Sequence, residues 1–257
     1  MKVLGALPFS DIDLYLKSIQ GDIGCIADTS YLIALGDKDH RLHEDALFMH
    51  EKLAEFSVRI FVSVTVRSEF IDFHRRMTLT ETLLGMLPSS SKWRISEAVR
   101  RELNSQKKWI NSQLDSGNDP YLTDSRIKDC KQIFLPKSQS GQIGWVELCK
   151  EYLSGELLAA WDKIVDTAQL HYIDMRADDS KDLFRKELRW ESMYQLAEES
   201  GMGSNDAMIL NILNSSVFPF VITMDFDLAY GVMLSAKDKT ALVPDNLYRN
   251  RIKKLRF

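Results

Sequence analysis

Cysteine is scarce in this chain: Cys25, Cys130 and Cys149 are the only three among 257 residues. An odd number with no short metal-ligand spacing excludes a disulfide framework and a zinc knuckle, and it fits a reducing, cytoplasmic setting. No apolar run is long enough to span a bilayer, so no membrane partner is expected. Residues 3–9 are apolar but short, contain Pro8 and run into Asp11 and Asp13, which is not the pattern of a signal peptide. Charge of one sign is also lacking: 33 basic against 37 acidic residues leave a net charge of -4, which excludes indiscriminate polyanion binding but leaves room for local basic patches. Repeats and low-complexity tracts are absent. What remains is 45% hydrophobic content, enough for a sizeable core, read as one domain carrying an insertion.

Apolar runs alternate with helical periodicity at both ends of the chain. Residues 10–20 predict a short helix capped by Ser10, with Ile12, Leu14 or Leu16, and Ile19 facing inward. Residues 23–27 form a small buried run that ends at Asp28 and restarts as a helix near Thr29 or Ser30. Leu42, Ala46, Met49, Leu53 and Phe56 keep helical steps, and a β-branched and aromatic strand follows over 58–64, with Glu69 about one turn into the next helix. Near the other end, Ser204 or Asn205 can cap a helix whose first turn holds Asp206. Residues 217–225 then read as a buried strand ending at Asp225, and a last strand is expected near 240–243. Strands alternating with helices predict an α/β fold around a parallel sheet.

Four acids therefore occupy matching places, Asp28, Glu69, Asp206 and Asp225, separated by 41, 137 and 19 positions. Singly, each is explained as a residue that caps free N–H groups and complements a helix dipole. Jointly, strand ends of a parallel sheet would deliver all four to one edge, where open sheets place their sites. Carboxylates gathered there repel one another unless a cation neutralises them, and oxygen ligation suits Mg²⁺ or Mn²⁺. Such an ion activates water and stabilises in-line displacement at phosphorus, which predicts phosphodiester hydrolysis. A phosphatase of the haloacid dehalogenase type would need a second acid two residues after the first, and Ser30 stands there.

The set resembles the PIN-domain nucleases, the family that includes VapC-like ribonuclease toxins. IADTSYLIAL is similar to the family's first motif, SVTVRSEF to the second, SNDAMILNIL to the third and VITMDFDL to the fourth. The resemblance covers residues 21–84 and 201–257 and implies a three-layer α/β/α sandwich around a parallel sheet. It implies that Asp28, Glu69, Asp206 and Asp225 are catalytic and hold Mg²⁺ or Mn²⁺, with Asp227 as an auxiliary acid and Ser30 and Thr223 as supporting polar groups. The implied activity is that of an endoribonuclease, toxin-like or regulatory. The implied partners are RNA, an antitoxin or other regulatory protein, and a second copy of the chain. The alternative expectation is a catalytically weak, PIN-like module that binds RNA or protein.

Residues 85–200 show helical spacing alone and hold all five tryptophans, so they are expected to form an all-helical insertion between the two parts of the α/β core, with 1–20 as an N-terminal helical extension. The insertion is polarised: residues 89–137 carry ten basic residues against six acids, and 138–200 carry seven against thirteen. Arg100, Arg101, Lys107 and Lys108, together with Lys253 and Lys254 of the C-terminal RNRIKKLRF, are the candidate RNA-binding residues. Charged helix faces that are merely solvated give the competing explanation. Trp93 and Trp109 are expected to pack in a core rather than stack on bases, and His40, His43, Met202 and Met208 are assigned no chemical role.

Overall fold

The computed structural model of the chain describes residues 5–19, 24–88, 93–117, 119–173, 181–235 and 238–255. In chain order the elements are β1 (Ala6–Pro8), α1 (Ile12–Ser18), β2 (Gly24–Ala27), α2 (Thr29–Gly36), α3 (His43–Glu55), β3 (Arg59–Val62), α4 (Val64–Gly85), α5 (Glu97–Asp115), α6 (Asp124–Ile133), α7 (Trp145–Leu153), α8 (Glu156–Ala168), β4 (His171–Tyr172), α9 (Trp190–Ser200), α10 (Ser204–Ser215), β5 (Phe220–Ile222), α11 (Phe226–Ser235), β6 (Thr240–Val243) and α12 (Asp245–Asn250), followed by a 3₁₀ turn, Ile252–Lys254. The chain divides into two compact units, residues 1–70 with 162–257 and residues 71–161, the boundaries falling inside α4 and α8.

The first unit is α/β. Its six strands form one parallel sheet in the order β1-β6-β5-β2-β3-β4. Every residue of β2, β5 and β6 is buried, as expected of short apolar runs covered on both faces. The register sets Ile26 beside both Phe61 and Val221, and Ala27 beside Ile222, so β2 lies between β3 and β5. From β2 the chain moves outward to β3, and from β5 it moves outward the other way to β6. Right-handed crossovers running in these opposed directions lead to opposite faces of a parallel sheet. The opposed directions make the gap between the carboxyl ends of β2 and β5 the switch point of the sheet.

Four spans differ from the sequence reading. Ahead of α1 the chain is not a helical extension but a strand, because β1 pairs with β6 through Ala6–Ala241, Leu7–Leu242 and Pro8–Val243. Pro8 lacks an N–H and is tolerated because β1 is an edge strand. Ser10 does not cap a helix: it lies in a 3₁₀ turn, its backbone N–H donates to Asp245 Oδ1 at 2.9 Å, and Leu14 points to solvent while Ile12 and Leu16 are buried. The stretch 85–200 is not wholly a helical insertion either. Its last part belongs to the α/β unit, where β4 pairs with β3 and α9 packs on α10. The strand expected over 58–64 stops at Val62, and the one expected over 217–225 begins after Pro219. Ile23, expected to open β2, lies outside the described residues.

The second unit is helical, with a core of Leu79, Leu83, Leu103, Leu122, Cys130 and Leu148 among others. Hydroxyl caps start two of its helices: Ser96 accepts from the Val99 N–H and Thr123 from the Arg126 N–H. Trp93 and Trp109 pack against this core; Trp93 donates to the Tyr152 hydroxyl at 2.9 Å, and the Arg126 guanidinium lies 4.1 Å from the centre of the Trp109 ring. All three cysteines are free thiols. No helix among the described residues is long and apolar enough to cross a membrane.

Gly24 opens β2 because nothing larger fits there. A Cβ at this position would stand 2.8 Å from Phe61 and 2.9 Å from Phe218, whose ring centres are 4.6 Å apart. Gly24→Val is expected to destabilise the protein by about 1–3 kcal/mol through overpacking. Urea denaturation measures this, and an unchanged unfolding free energy would show that the aromatic pair is not confined as described.

Candidate carboxylate site at the sheet switch point

Asp28 leaves the end of β2 as the N-cap of α2 and is 3% exposed. Its Oδ1 accepts the Thr29 backbone N–H at 2.6 Å, and its Oδ2 accepts hydroxyl protons from Ser30 at 2.5 Å and Thr223 at 2.8 Å. Those two hydroxyls are themselves oriented by the turn after β5: Ser30 Oγ accepts the Met224 N–H and Thr223 Oγ1 accepts the Asp225 N–H, each at 2.9 Å. Each hydroxyl thus spends a lone pair on the backbone and directs its proton to Asp28. The Asp28 N–H donates to Ile222 O at 3.0 Å, completing the seam between β2 and β5.

Glu69 lies in the second turn of α4 and is half-buried. Thr29 donates its hydroxyl to Glu69 Oε2 at 2.7 Å, and Asn205 donates its side-chain amide to Oε1 at 2.6 Å. Asn205 is therefore no helix cap. Gly203 occupies the N-cap of α10 without a side-chain bond, which leaves the Asn205 amide free to reach Glu69. Asp206 sits in the first turn of α10. Asp225 stands directly before α11, where its Oδ1 accepts the Asp227 N–H at 2.8 Å, and Asp227 is exposed in the first turn of that helix. Asp28 and Asp225 thus do cap helices, so the simpler explanation of each holds in part.

The acids act on one another electrically. Burial pushes the Asp28 carboxyl up to about 6 against the opposing hydrogen bonds from Ser30 and Thr223, and the charges of Glu69 and Asp225 add to the rise. Burial likewise pushes Asp206 up to about 7, aided by Asp28, Asp225, Glu69 and Asp227. All five expected acids are therefore within electrostatic reach in one unit. As their side chains stand, no three His, Cys, Asp or Glu among the described residues are grouped so as to hold a metal ion. Glu69 has both oxygens engaged by Thr29 and Asn205, and Asp28 both by its three donors.

Thr29 and Asn205 were missed as site residues by sequence reasoning. Thr29 follows Asp28 directly and Asn205 precedes Asp206, so adjacency to a candidate acid was the available signal. The expected RNA-binding residues fall in two places. Arg100, Arg101, Lys107 and Lys108 lie on α5 of the helical unit, and Arg100 is half-buried with its guanidinium donating to Leu87 O at 3.1 Å, so it serves that unit's structure. Lys253 and Lys254 are exposed in the α/β unit, whereas Arg256 and Phe257 lie outside the described residues. His43 meets the Ala34 carbonyl at 2.9 Å, and His40 Nδ1 accepts the Leu42 N–H at 3.2 Å, consistent with packing roles.

Raised carboxyl groups favour the protonated folded state, so their stabilisation is complete below the ordinary carboxylate range and is lost as pH rises through about 6 for Asp28 and about 7 for Asp206. In chelator-treated buffer the melting temperature is expected to fall between about pH 4 and pH 7 and to level off above, as these two groups ionise. The Asp28 contribution alone is on the order of 3 kcal/mol. Melting curves across this range check it, and a temperature that rises or stays flat would contradict the burial and crowding of these acids. No protein-family model, no curated protein and no solved structure matches the chain.

Proposed function

We propose that the chain is a Mg²⁺- or Mn²⁺-dependent endoribonuclease of PIN-like, three-layer α/β/α architecture, hydrolysing RNA phosphodiester bonds at the switch point of its sheet. The observation that carries this reading is the convergence of Asp28, Glu69, Asp206 and Asp225, with Asp227 beside them, at the carboxyl ends of β2 and β5 and the starts of the adjoining helices. The donor set fits a hard divalent cation: it is all oxygen, and burial, aided by the neighbouring acids, makes Asp28 and Asp206 resist ionisation, a cost that a cation offsets. Asp28, Glu69, Asp206 and Asp225 would hold the ion, and Asp227 is placed to assist. When bound, such an ion neutralises charge developing at phosphorus and acidifies the attacking water.

The remaining residues orient this set. Ser30 and Thr223 fix the Asp28 carboxylate, and through the Asp225 N–H Thr223 also fixes the turn that presents Asp225. Thr29 and Asn205 hold Glu69 between α2 and α10. A second reading, a PIN-like module that binds RNA or protein without cutting, draws on the same hydrogen bonds, since they already satisfy Asp28 and Glu69 without a cation.

Cleavage of a labelled single-stranded RNA in Mn²⁺ separates the two. The proposal expects turnover by the purified chain and a loss of roughly a thousandfold or more in Asp28→Asn and Asp206→Asn, the scale associated with removing one essential electrostatic group. Circular dichroism confirms that the variants fold. Undiminished cleavage in both variants would sink the assignment, and an inert but RNA-binding wild type would favour the second reading.

A further inference from the structure

A site built from five acids must still receive a polyanion, and the segment after β6 supplies cations on the same unit. α12 and the 3₁₀ turn behind it carry Arg249, Arg251, Lys253 and Lys254. Arg249 is occupied with Asp245, 3.3 Å away. Arg251 is exposed and pairs with no acid among the described residues; its guanidinium lies instead 5.5 Å from the centre of the Phe226 ring. Phe226 is the residue between Asp225 and Asp227, and it stacks on Tyr230 one turn further along α11, with ring centres 5.8 Å apart at 22°. Lys253 and Lys254 follow, exposed and likewise unpaired among the described residues.

A cation held over a ring is fixed through its face, so the in-plane N–H donors of Arg251 stay available for a planar, two-point contact with phosphate. A contact with Asp227 would have consumed those donors, whereas the seat on Phe226, the residue between Asp225 and Asp227, leaves the charge unpaired. We propose that Arg251, seated on Phe226, forms with Lys253 and Lys254 a phosphate-binding ledge that takes the backbone of single-stranded RNA next to the carboxylate cluster. A single strand is specified because Asp28 is only 3% exposed, and a flexible unpaired backbone can approach a buried carboxylate where a stiff duplex is poorly suited to do so. The ledge rests on the nuclease reading for what is cut there, but not for what is bound.

The test is the affinity of the full chain for a short fluorescein-labelled oligouridylate in EDTA, where nothing is cut, as a function of salt. Arg251→Ala is expected to bind about tenfold more weakly, the scale of one charge-assisted phosphate contact. Its plot of log affinity against log salt should be shallower by about 0.7, the single-strand value for one phosphate. Arg251→Lys should keep the slope while losing affinity, and Lys253→Ala with Lys254→Ala should flatten the slope further. In Mn²⁺, Arg251→Ala should raise KM more than it lowers kcat. Wild-type affinity and slope in Arg251→Ala, or no binding by the wild type, would overturn the ledge. If the wild type cuts RNA while Arg251→Ala changes neither binding nor KM, the ledge falls and the nuclease stands; if the wild type binds through Arg251 but never cuts, the nuclease falls and the ledge stands.

Discussion

The Asp28 carboxylate is bonded on both sides of the one seam where the sheet's connections diverge, and the rest of the site depends on it. It leaves β2, accepts a hydrogen bond from Ser30 on the helix that follows and another from Thr223 just past β5, and those hydroxyls are oriented by the amides of the turn that presents Asp225. Tying the strand ends together here sets the spacing between Asp28 and Asp225. The adjoining starts of α10 and α11 add Asp206 and Asp227 around that pair. Without the parallel order that makes β2 and β5 neighbours, acids 197 positions apart in sequence would have no reason to meet.

Holding a carboxylate and keeping it charged are opposing demands at this buried position. Hydrogen bonds from Ser30 and Thr223 favour the charged form of Asp28, yet burial outweighs them, so the group holds its proton up to about 6. Asp206 holds its own still higher, through burial first and the charges of the other acids second. Protons offset this crowding, and so can a divalent cation, which makes the two competitors for the same negative charge. Thr29 links the sub-parts further, giving its N–H to Asp28 and its hydroxyl to Glu69.

The buried strands were legible from composition alone. Thr240–Val243 occupies the expected span and Gly24–Ala27 nearly so, because a short β-branched or apolar run covered on both faces has few other uses. β1 and β4 were not legible. One is three residues long and ends in proline, the other is two residues and exposed, so only their partners β6 and β3 define them as strands. Helical periodicity revealed α9 but could not say which core it joins, and that is how the insertion came to be drawn too long. The acids of the site were readable because each follows a strand or opens a helix. Neither Ser204 nor Asn205, the two residues able to cap α10, does so; Gly203 is the N-cap, and the Asn205 bond to Glu69 exists only once α10 is packed near α4. Arg251 is one of five basic residues in its run, and only the Phe226 ring beneath it, which is 25 positions away in sequence, sets it apart.

Calorimetric titration of Mn²⁺ into the wild-type chain, repeated in buffers of different ionisation enthalpy from pH 6 to pH 8, tests the carboxylate site most directly. The expected result is saturable binding that releases protons near pH 6, with the release fading toward pH 8 as Asp28 and Asp206 ionise unaided, and with binding lost in Asp28→Asn. Absence of saturable binding by the folded wild type, or binding that Asp28→Asn leaves unchanged, would contradict a shared cation site at the switch point.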